Sequence, residues 1–252
     1  MVEPTDAKQA PVRLEWHGER IAVVTIDRPA RRNAVNHEAL VMLAAIQGEI
    51  SVRARVMVLT GAPPAFCAGA DLTGVEDDEF AGALAAALRG FTDLPCITLA
   101  AIDGPALGAG TQLAVACDLR MATTDSQFGV PAAKLGLAVD QWTIERLGRE
   151  FGWSVARHML LGVGLYTARQ LHDQGAVHRL GGLDDALVWA EELVQYAPLT
   201  IAAHKRGLEA AAGEPADDDR FETLRAQAWS SRDAEEGRTA FLEKRRPQFR
   251  GD

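Results

Sequence analysis

The sequence has few cysteines and no long hydrophobic run, and each shortage excludes a class of protein. Its three cysteines, Cys67, Cys96 and Cys117, lie far apart, and their odd number fits reduced thiols better than a disulfide framework. No apolar run reaches the roughly eighteen residues that a membrane span needs, and residues 1–13 contain no apolar signal core. We therefore expect a cytoplasmic protein with no membrane span, whose thiols are buried and unreactive.

Concentrated basic charge and several catalytic motifs are also missing. The net charge is -9, and no basic stripe of the kind that nucleic-acid binders present is visible. There is no G-x-S-x-G elbow, no H-E-x-x-H zinc helix and no G-x-x-x-x-G-K-[ST] phosphate loop. The six histidines are scattered without the spacing of metal ligands. These absences argue against a nucleic-acid partner and against a metal site.

What remains is an ordinary globular composition, with 48% hydrophobic and 24% charged residues in 252. Three β-branched runs, Arg20 to Asp27, Arg55 to Thr60 and Cys96 to Asp103, predict strands. Between the first two, residues 36–50 predict a helix capped by Asn36. The pattern indicates an α/β core.

Helical patterns dominate after Phe151. They cover Trp153 to Leu161, Thr167 to Gln174, Leu183 to Tyr196 and Pro198 to Ala212. The alanine-rich residues 81–88 predict a further short helix in the first half. The acidic stretches Glu76 to Glu79 and Gly213 to Asp219 are interpreted as solvated faces or linkers. An α/β core followed by a helical C-terminal part is therefore predicted.

Two glycine-containing bends carry the chemical signal. In Val56 to Leu72, a strand ends at Gly61 and a tight loop leads to the residues CAGAD, where backbone N–H groups can face outward. In Ala100 to Ala122, a glycine-rich turn comes just before a helix that begins near Gly110. Fixed amides and a helix N-terminus together can stabilise negative charge on an oxygen. A dinucleotide fingerprint is the alternative for the second bend, but its spacing is wrong for G-x-G-x-x-G.

Four segments resemble the signatures of the enoyl-CoA hydratase/isomerase (crotonase) family, in family order. They are IDRPARRNAVN, LTGAPPAFCAGADL, AAIDGPALGAGTQLAVACDLRMA and FLEKRRPQF. The resemblance implies an α/β fold of the ClpP/crotonase-like class, with a spiral core of ββα units and a helical C-terminal trimerisation region. Residues 1–195 would then form the core with the acyl-CoA site, and residues 196–252 the oligomerisation region of a homotrimer or a dimer of trimers.

The resemblance also implies which residues bind the ligand. The two backbone amides that bind the thioester oxygen of an acyl-CoA match Ala70 and Ala109, and only their N–H groups need to act. The segment whose backbone reads the adenine matches Ala68, Ala70, Asp71 and Leu72. Candidates for the phosphates are Arg31, Arg32 and Lys205, with solvated surface charges as the alternative. Coenzyme A would arrive as part of the ligand, and no tightly bound cofactor is expected.

The chain departs from the family's hydratases at two positions. Hydratases add water across a double bond with two glutamates, and the matching positions here hold Gln112 and Ala132. An amide can hydrogen-bond a water but cannot take its proton, and a methyl group can do neither. Asp140 matches a catalytic aspartate of dienoyl-CoA isomerases and an aryl-CoA dehalogenase, but a polar group at a helix terminus is an equal alternative. Trp142 is a candidate to line the acyl tunnel or to pack in the core.

Two functional hypotheses follow. In the first, the chain binds or carries fatty acyl-CoA in lipid metabolism with little hydratase activity, as the resemblance to a mycobacterial branch that lacks both glutamates implies, and it serves other fatty-acid enzymes. In the second, it is an active enoyl-CoA hydratase or (di)enoyl-CoA isomerase that stabilises a thioester enolate, with Asp140 as acid or base. Whether the chain is an enzyme is thus open from the sequence. A purely structural oligomer is a third possibility.

Overall fold

A mostly parallel sheet forms the centre of the fold in this computed structural model, which describes residues 10–73, 78–212, 226 and 229–248. The strands are β1 (Val12–His17), β2 (Ile21–Ile26), β3 (Val56–Gly61), β4 (Ile97–Ile102), β5 (Ala106–Leu107), β6 (Leu119–Ala122), β7 (Gln127–Gly129), β8 (Tyr166–Thr167) and β9 (Arg179–Leu180). The helices are α1 (His37–Arg53), α2 (Asp78–Asp93), α3 (Ala109–Ala116), α4 (Gln141–Phe151), α5 (Trp153–Leu161), α6 (Ala168–Asp173), α7 (Leu183–Leu193), α8 (Pro198–Ala212) and α9 (Arg232–Leu242).

The six-stranded sheet has the order β1-β2-β3-β4-β6-β9, and β5, β7 and β8 form a second, three-stranded sheet. In the larger sheet β1 is antiparallel to β2, and every other pair is parallel. Because parallel strands need crossover connections, α1, α2 and α3 lie between successive strands of this sheet. The carboxyl ends of β3 and β4 therefore lie side by side, and the two glycine-containing bends leave the sheet at the same edge.

Both faces of the sheet are covered. Alternate residues of β2 point to opposite faces, so that Val24 belongs to the larger apolar core while Val23 packs in a second, smaller one. The larger core includes buried side chains of α1, α2 and α3, and the smaller one includes Trp189 and Ala190 of α7. Burial on both faces explains why β2, β3 and β4 consist of continuous apolar runs, as is typical of parallel strands.

The predicted strands and helices are confirmed, with a few omissions. Asn36 caps α1 by accepting from the Ala39 N–H at 3.0 Å, and α5 and α8 have the predicted bounds. Helix α4 and strands β1, β5, β6, β7, β8 and β9 were not predicted. Strands β5, β8 and β9 have two residues each, which is too short for a periodicity to be detected. The acidic stretch Gly213 to Asp219 lies outside the described residues. Of the other acidic stretch, Glu76 to Glu79, residues 76 and 77 also lie outside them.

The C-terminal helix α9 packs on the segment that leads into α4. A Cβ at Gly237 would lie 2.4 Å from the Leu135 carbonyl oxygen, and one at Gly136 would lie 2.6 Å from that of Asp233, so both contacts require glycine. The Trp229 Nε1 also donates to the Ala138 carbonyl at 2.7 Å. Part of the predicted oligomerisation region therefore supports the core of its own chain.

None of the helices in the described part of the chain combines the length and the apolar character that crossing a membrane requires.

Candidate functional site

The two bends are joined by backbone hydrogen bonds. The Cys67 N–H donates to the Pro105 carbonyl at 3.0 Å, and the Leu107 N–H donates to the Cys67 carbonyl at 2.9 Å. This short parallel bridge holds residues 67–71 against residues 105–109 at the carboxyl ends of β3 and β4. The bends form one structural unit, as their sequence suggested.

Glycines allow the close approach of the two bends. A Cβ at Gly110 would lie 2.1 Å from the Cys67 carbonyl oxygen, which no side chain can tolerate. A Cβ at Gly108 would lie 3.7 Å from the Cα of Gly69, so these two glycines face each other. Both have positive φ angles, 53° for Gly108 and 122° for Gly69, which glycine adopts readily. The backbone itself therefore lines the contact.

Two backbone amides at this contact are free to bind a ligand. Neither the Ala70 nor the Ala109 N–H donates to an acceptor among the described residues. Ala109 is the first residue of α3, where an N–H has no partner within the helix and the helix dipole is positive. Ala70 is fixed through its neighbours, because the Val35 N–H donates to the Gly69 carbonyl and the Asp71 N–H to the Val35 carbonyl. The Ala70 N–H consequently points away from that bridge.

The loop before α1 secures the first bend. Asn33, which is buried, donates to the carbonyls of Ala62 and Ala65, both at 2.6 Å. Arg28 forms an ion pair with Asp71 at 2.9 Å. Burial alone would raise the pKa of Asp71, but hydrogen bonds from Thr73 and Arg28 outweigh it and hold that pKa below its usual value. Asp71 is therefore an anchored carboxylate, and sequence reasoning missed both Arg28 and Asn33.

The residues predicted to bind coenzyme A are partly brought together. The Ala68 N–H donates to the Arg32 carbonyl at 3.0 Å, so the loop carrying Arg31 and Arg32 lies beside the segment from Ala68 to Leu72. Both arginines are exposed, while Leu72 packs partly against the core. The contact of these residues with adenine and phosphate stays a prediction.

Lys205 does not lie near the bends, and its assignment to the phosphates was wrong. Its ammonium donates to the carbonyls of Phe91 and Cys96 and pairs with Asp118 at 2.8 Å, and the residue is 7% exposed. Cys96 lies just before the amino end of β4, whereas the bends lie at the carboxyl ends of β3 and β4. A strand of this length separates its two ends by about 20 Å. Lys205 ties α8 to the amino end of the sheet.

The residues at the hydratase glutamate positions lie on two different helices. Gln112 is one turn into α3 and buried, and Ala132 lies in a short 3-10 helix, Pro131–Leu135, packed partly against the core. Asp140 caps α4, its carboxylate accepting from the Thr143 N–H at 3.0 Å. Trp142 packs partly against the core. The alternative that Asp140 serves a helix terminus is therefore confirmed, while its catalytic role stays a hypothesis.

The three cysteines are free and buried, as predicted. Burial raises the pKa of Cys67 to about 11, that of Cys96 to about 11 and that of Cys117 to about 12. Thiols at such pKa values are protonated at neutral pH and are poor nucleophiles. Cys67 therefore contributes to the first bend through its backbone N–H and carbonyl, which bond to the second bend.

Two buried arginines hold the opposite end of α3. Arg120, 1% exposed, donates to the carbonyls of Ala114, Cys117 and Ala176, and Arg146 donates to that of Val115. Both also pair with Glu150. The carbonyls of Ala114, Val115 and Cys117 lie at the C-terminal end of α3, so these bonds satisfy carbonyls that have no partner within the helix. Sequence reasoning missed both arginines, although an arginine in the apolar run around β6 was a signal.

Next to this cluster, His178 should make stability depend on pH. Its Nδ1 accepts from the backbone N–H of Arg120 at 3.0 Å. Although part of the residue is exposed, desolvation of this side of the ring together with the Arg120 charge lowers the pKa of His178 to about 4. The unfolded chain takes up this proton near pH 6.5, so folding stability should fall as the pH drops from 6.5 to 4.

The matched variant for this prediction is His178→Asn, whose side-chain oxygen can accept the same hydrogen bond without titrating. Urea unfolding midpoints at pH 7 and pH 5 measure the effect. The variant should lose less stability between these pH values than the native chain. An equal loss in both proteins would contradict the role of His178.

Comparisons with known proteins agree with this architecture. The family model described as enoyl-CoA hydratase/isomerase matches residues 17–252. The probable enoyl-CoA hydratase echA6 of Mycobacterium tuberculosis is 41% identical over 242 residues, covering 92% of this chain and 97% of the relative. The 2,3-dehydroadipyl-CoA hydratase of Escherichia coli is 34% identical over 256 residues, covering 92% and 96%. A methylmalonyl-CoA decarboxylase solved with 2-nitronate-propionyl-CoA superimposes with a TM-score of 0.86 at 23% identity, covering 96% and 98%.

The sheet order, the paired bends and this superposition define a protein of the crotonase fold class. Within that class, the chain belongs to the enoyl-CoA hydratase/isomerase family, since the family model spans nearly all of it.

Proposed function

We propose that this chain binds fatty acyl-CoA by its thioester and holds it with little or no hydration. The free amides of Ala70 and Ala109 bind the thioester oxygen, and coenzyme A, its only cofactor-like group, lies along residues 68–72 near Arg31 and Arg32. The solved decarboxylase with a similar fold was captured with an acyl-CoA analogue, 2-nitronate-propionyl-CoA, which supports a ligand of this class.

The observation that carries the proposal is the neutral side chain beside the free amides. Water addition needs a base to take a proton from the water, and the buried Gln112 has no useful basicity. The two candidates for such a base already have partners. The Asp71 carboxylate is bound by Arg28 and Thr73, and the Asp140 carboxylate accepts from the Thr143 N–H. Each missing acid or base costs about 10²–10⁴ in rate, so the absence of two leaves a very weak hydratase.

An isomerase or hydratase that uses Asp140 is the second candidate. It is favoured by the partial exposure of the Asp140 carboxylate, which leaves one oxygen beyond the helix cap. In this case Ala70 and Ala109 would stabilise a thioester enolate while Asp140 moves the proton.

Asp140→Asn separates the two candidates, because asparagine caps a helix as well as aspartate does but cannot transfer a proton. Purified native and variant proteins are assayed with crotonyl-, dienoyl- and long-chain enoyl-CoA, and acyl-CoA affinity is measured by calorimetry. We expect binding to both proteins within about twofold and no appreciable turnover by either. Robust turnover that Asp140→Asn abolishes would contradict the carrier function, and no measurable affinity would leave only a structural role.

The chain is proposed to act as a homotrimer or a dimer of trimers in lipid metabolism, passing acyl-CoA to other fatty-acid enzymes. Large exposed apolar side chains on α8 and α9 support an assembly through the C-terminal region. They include Leu199 at 86%, Leu208 at 71% and Phe241 at 61% exposure. The reduced thiols agree with a cytoplasmic location.

A further inference from the structure

A chain of hydrogen bonds runs from the Arg28 side chain to the first donor amide. The Arg28 guanidinium donates through Nη1 to the Ala34 carbonyl. The next N–H along the chain, that of Val35, donates to the Gly69 carbonyl at 2.9 Å. The N–H that follows this carbonyl is that of Ala70, which has no acceptor among the described residues. Two peptide groups therefore connect Arg28 with the place proposed for the thioester oxygen.

The planarity of the peptide bond passes orientation along this chain. Both peptides are trans, and in a trans peptide the carbonyl and the N–H lie in one plane and point in opposite directions. The Ala34 carbonyl, which Arg28 holds, thus directs the Val35 N–H. The Gly69 carbonyl, which Val35 holds, directs the Ala70 N–H in the same way. Gly69 itself restrains this direction little, because glycine has the widest choice of backbone angles.

The second nitrogen of the guanidinium anchors Arg28 on the other side of the donor amide. Nη2 donates to the Asp71 carboxylate at 2.9 Å, and Asp71 is the residue after Ala70. The Arg28 side chain is 18% exposed and that of Asp71 9%, so this charged contact is largely shielded from water. The Thr73 hydroxyl donates to the other oxygen of Asp71 at 2.6 Å. The cation at the start of the chain is therefore fixed in place.

The charge of Arg28 also acts on these peptide groups. A cation that binds a carbonyl makes the N–H of the same peptide a better donor, and hydrogen bonds in a chain strengthen one another. Charge-assisted hydrogen bonds are also stronger than neutral ones. The Ala70 N–H, at the end of this chain, should therefore bind a thioester oxygen more strongly than an isolated amide does.

We propose that Arg28 is a positioning residue, which directs and polarises the Ala70 N–H through the two peptide groups that begin with the carbonyls of Ala34 and Gly69. The inference rests on the proposed function, since it assumes that the Ala70 N–H binds the thioester oxygen. Arg28 then does more than secure the loop before α1, because it sets how strongly the bound thioester is polarised.

The test compares Arg28→Met with the native chain, using butyryl- and decanoyl-CoA labelled with ¹³C at the thioester carbon. Calorimetry measures affinity, and the infrared stretching frequency of the labelled carbonyl measures its polarisation. Methionine keeps an apolar stem and removes both donors. We expect affinity to fall by about tenfold. The carbonyl frequency should return about halfway to its value in water, because one of the two donors is no longer directed at the oxygen.

Arg13→Met is the matched control, because Arg13 forms a similar ion pair with Asp27 at 2.7 Å and bonds to neither bend. It should keep the native carbonyl frequency and an affinity within about twofold of the native chain. Arg28→Lys should lie between the native chain and Arg28→Met, since an ammonium lacks the planar fork that holds two acceptors at once. It replaces Arg28→Met in the comparison if circular dichroism shows that the methionine variant does not fold.

A native carbonyl frequency in the folded Arg28 variant would overturn the inference, even if affinity fell, because Arg28 would then act on another part of the ligand. An equal change in Arg13→Met would overturn it as well. In both cases the proposed function would stand. Failure of the native chain to bind either acyl-CoA would instead overturn the proposed function, and this inference with it.

Discussion

Proline in place of Ala109 should weaken acyl-CoA binding by about tenfold or more while the fold persists. Ala109 is the first residue of α3, the helical position that proline tolerates best, because its N–H has no partner within the helix. The substitution therefore removes the donor to the thioester oxygen and little else. A ring carbon also takes the place of the amide hydrogen, so the oxygen cannot approach closely. Affinity is measured by calorimetry with the acyl-CoA that the native chain binds best.

Ala109→Ser is the matched control, because it changes the side chain at the same position and keeps the N–H. It should bind acyl-CoA within about threefold of the native chain, because the donor N–H is kept and the buried side chain grows by one oxygen atom only. Native-like affinity of a folded Ala109→Pro variant would show that this amide does not bind the ligand.

The second large effect concerns stability. Arg120→Met should lower the free energy of unfolding by about 3–5 kcal/mol, because it leaves the carbonyls of Ala114, Cys117 and Ala176 without this donor and leaves Glu150 with only its longer contact to Arg146. That loss is a large part of the total stability of an ordinary domain, about 5–15 kcal/mol. Urea unfolding followed by circular dichroism measures it.

Arg157→Met is the control for this effect, since Arg157 is exposed and its replacement should change stability by less than about 0.5 kcal/mol. The double variant Arg120→Met, Glu150→Met should recover part of the loss, because it also removes the carboxylate that has lost its closer partner. A loss from Arg120→Met no larger than that from Arg157→Met would contradict the role of Arg120 at the end of α3.

Much of the fold could be predicted because its signals are local. The β-branched runs of β2, β3 and β4, the Asn36 cap and Pro198 at the start of α8 each act within a few residues. Helix α4 was not predicted although its N-cap, Asp140, is also a local signal, because a single polar residue indicates a helix terminus only weakly. Strands β8 and β9 exist only through pairing with distant strands.

At the site, too, residues with local sequence signals could be predicted, and residues defined by distant partners could not. The positions of Ala70 and Ala109 followed from glycine-containing bends, whose close packing leaves these two N–H groups without an acceptor among the described residues. The burial of Lys205 could not be foreseen, because its partner Asp118 lies 87 residues away in sequence. Arg28 and Arg120 are likewise defined by tertiary partners, and an isolated arginine in a sequence resembles a surface charge.

The most direct test of the account is the infrared stretching frequency of the thioester carbonyl, measured on acyl-CoA labelled with ¹³C at that carbon. Two fixed amides in a site that excludes water should polarise the bond more than water does. We predict a lower frequency in the bound ligand than in solution, and a smaller shift in Ala109→Pro. A bound carbonyl whose frequency equals or exceeds that in water would contradict it.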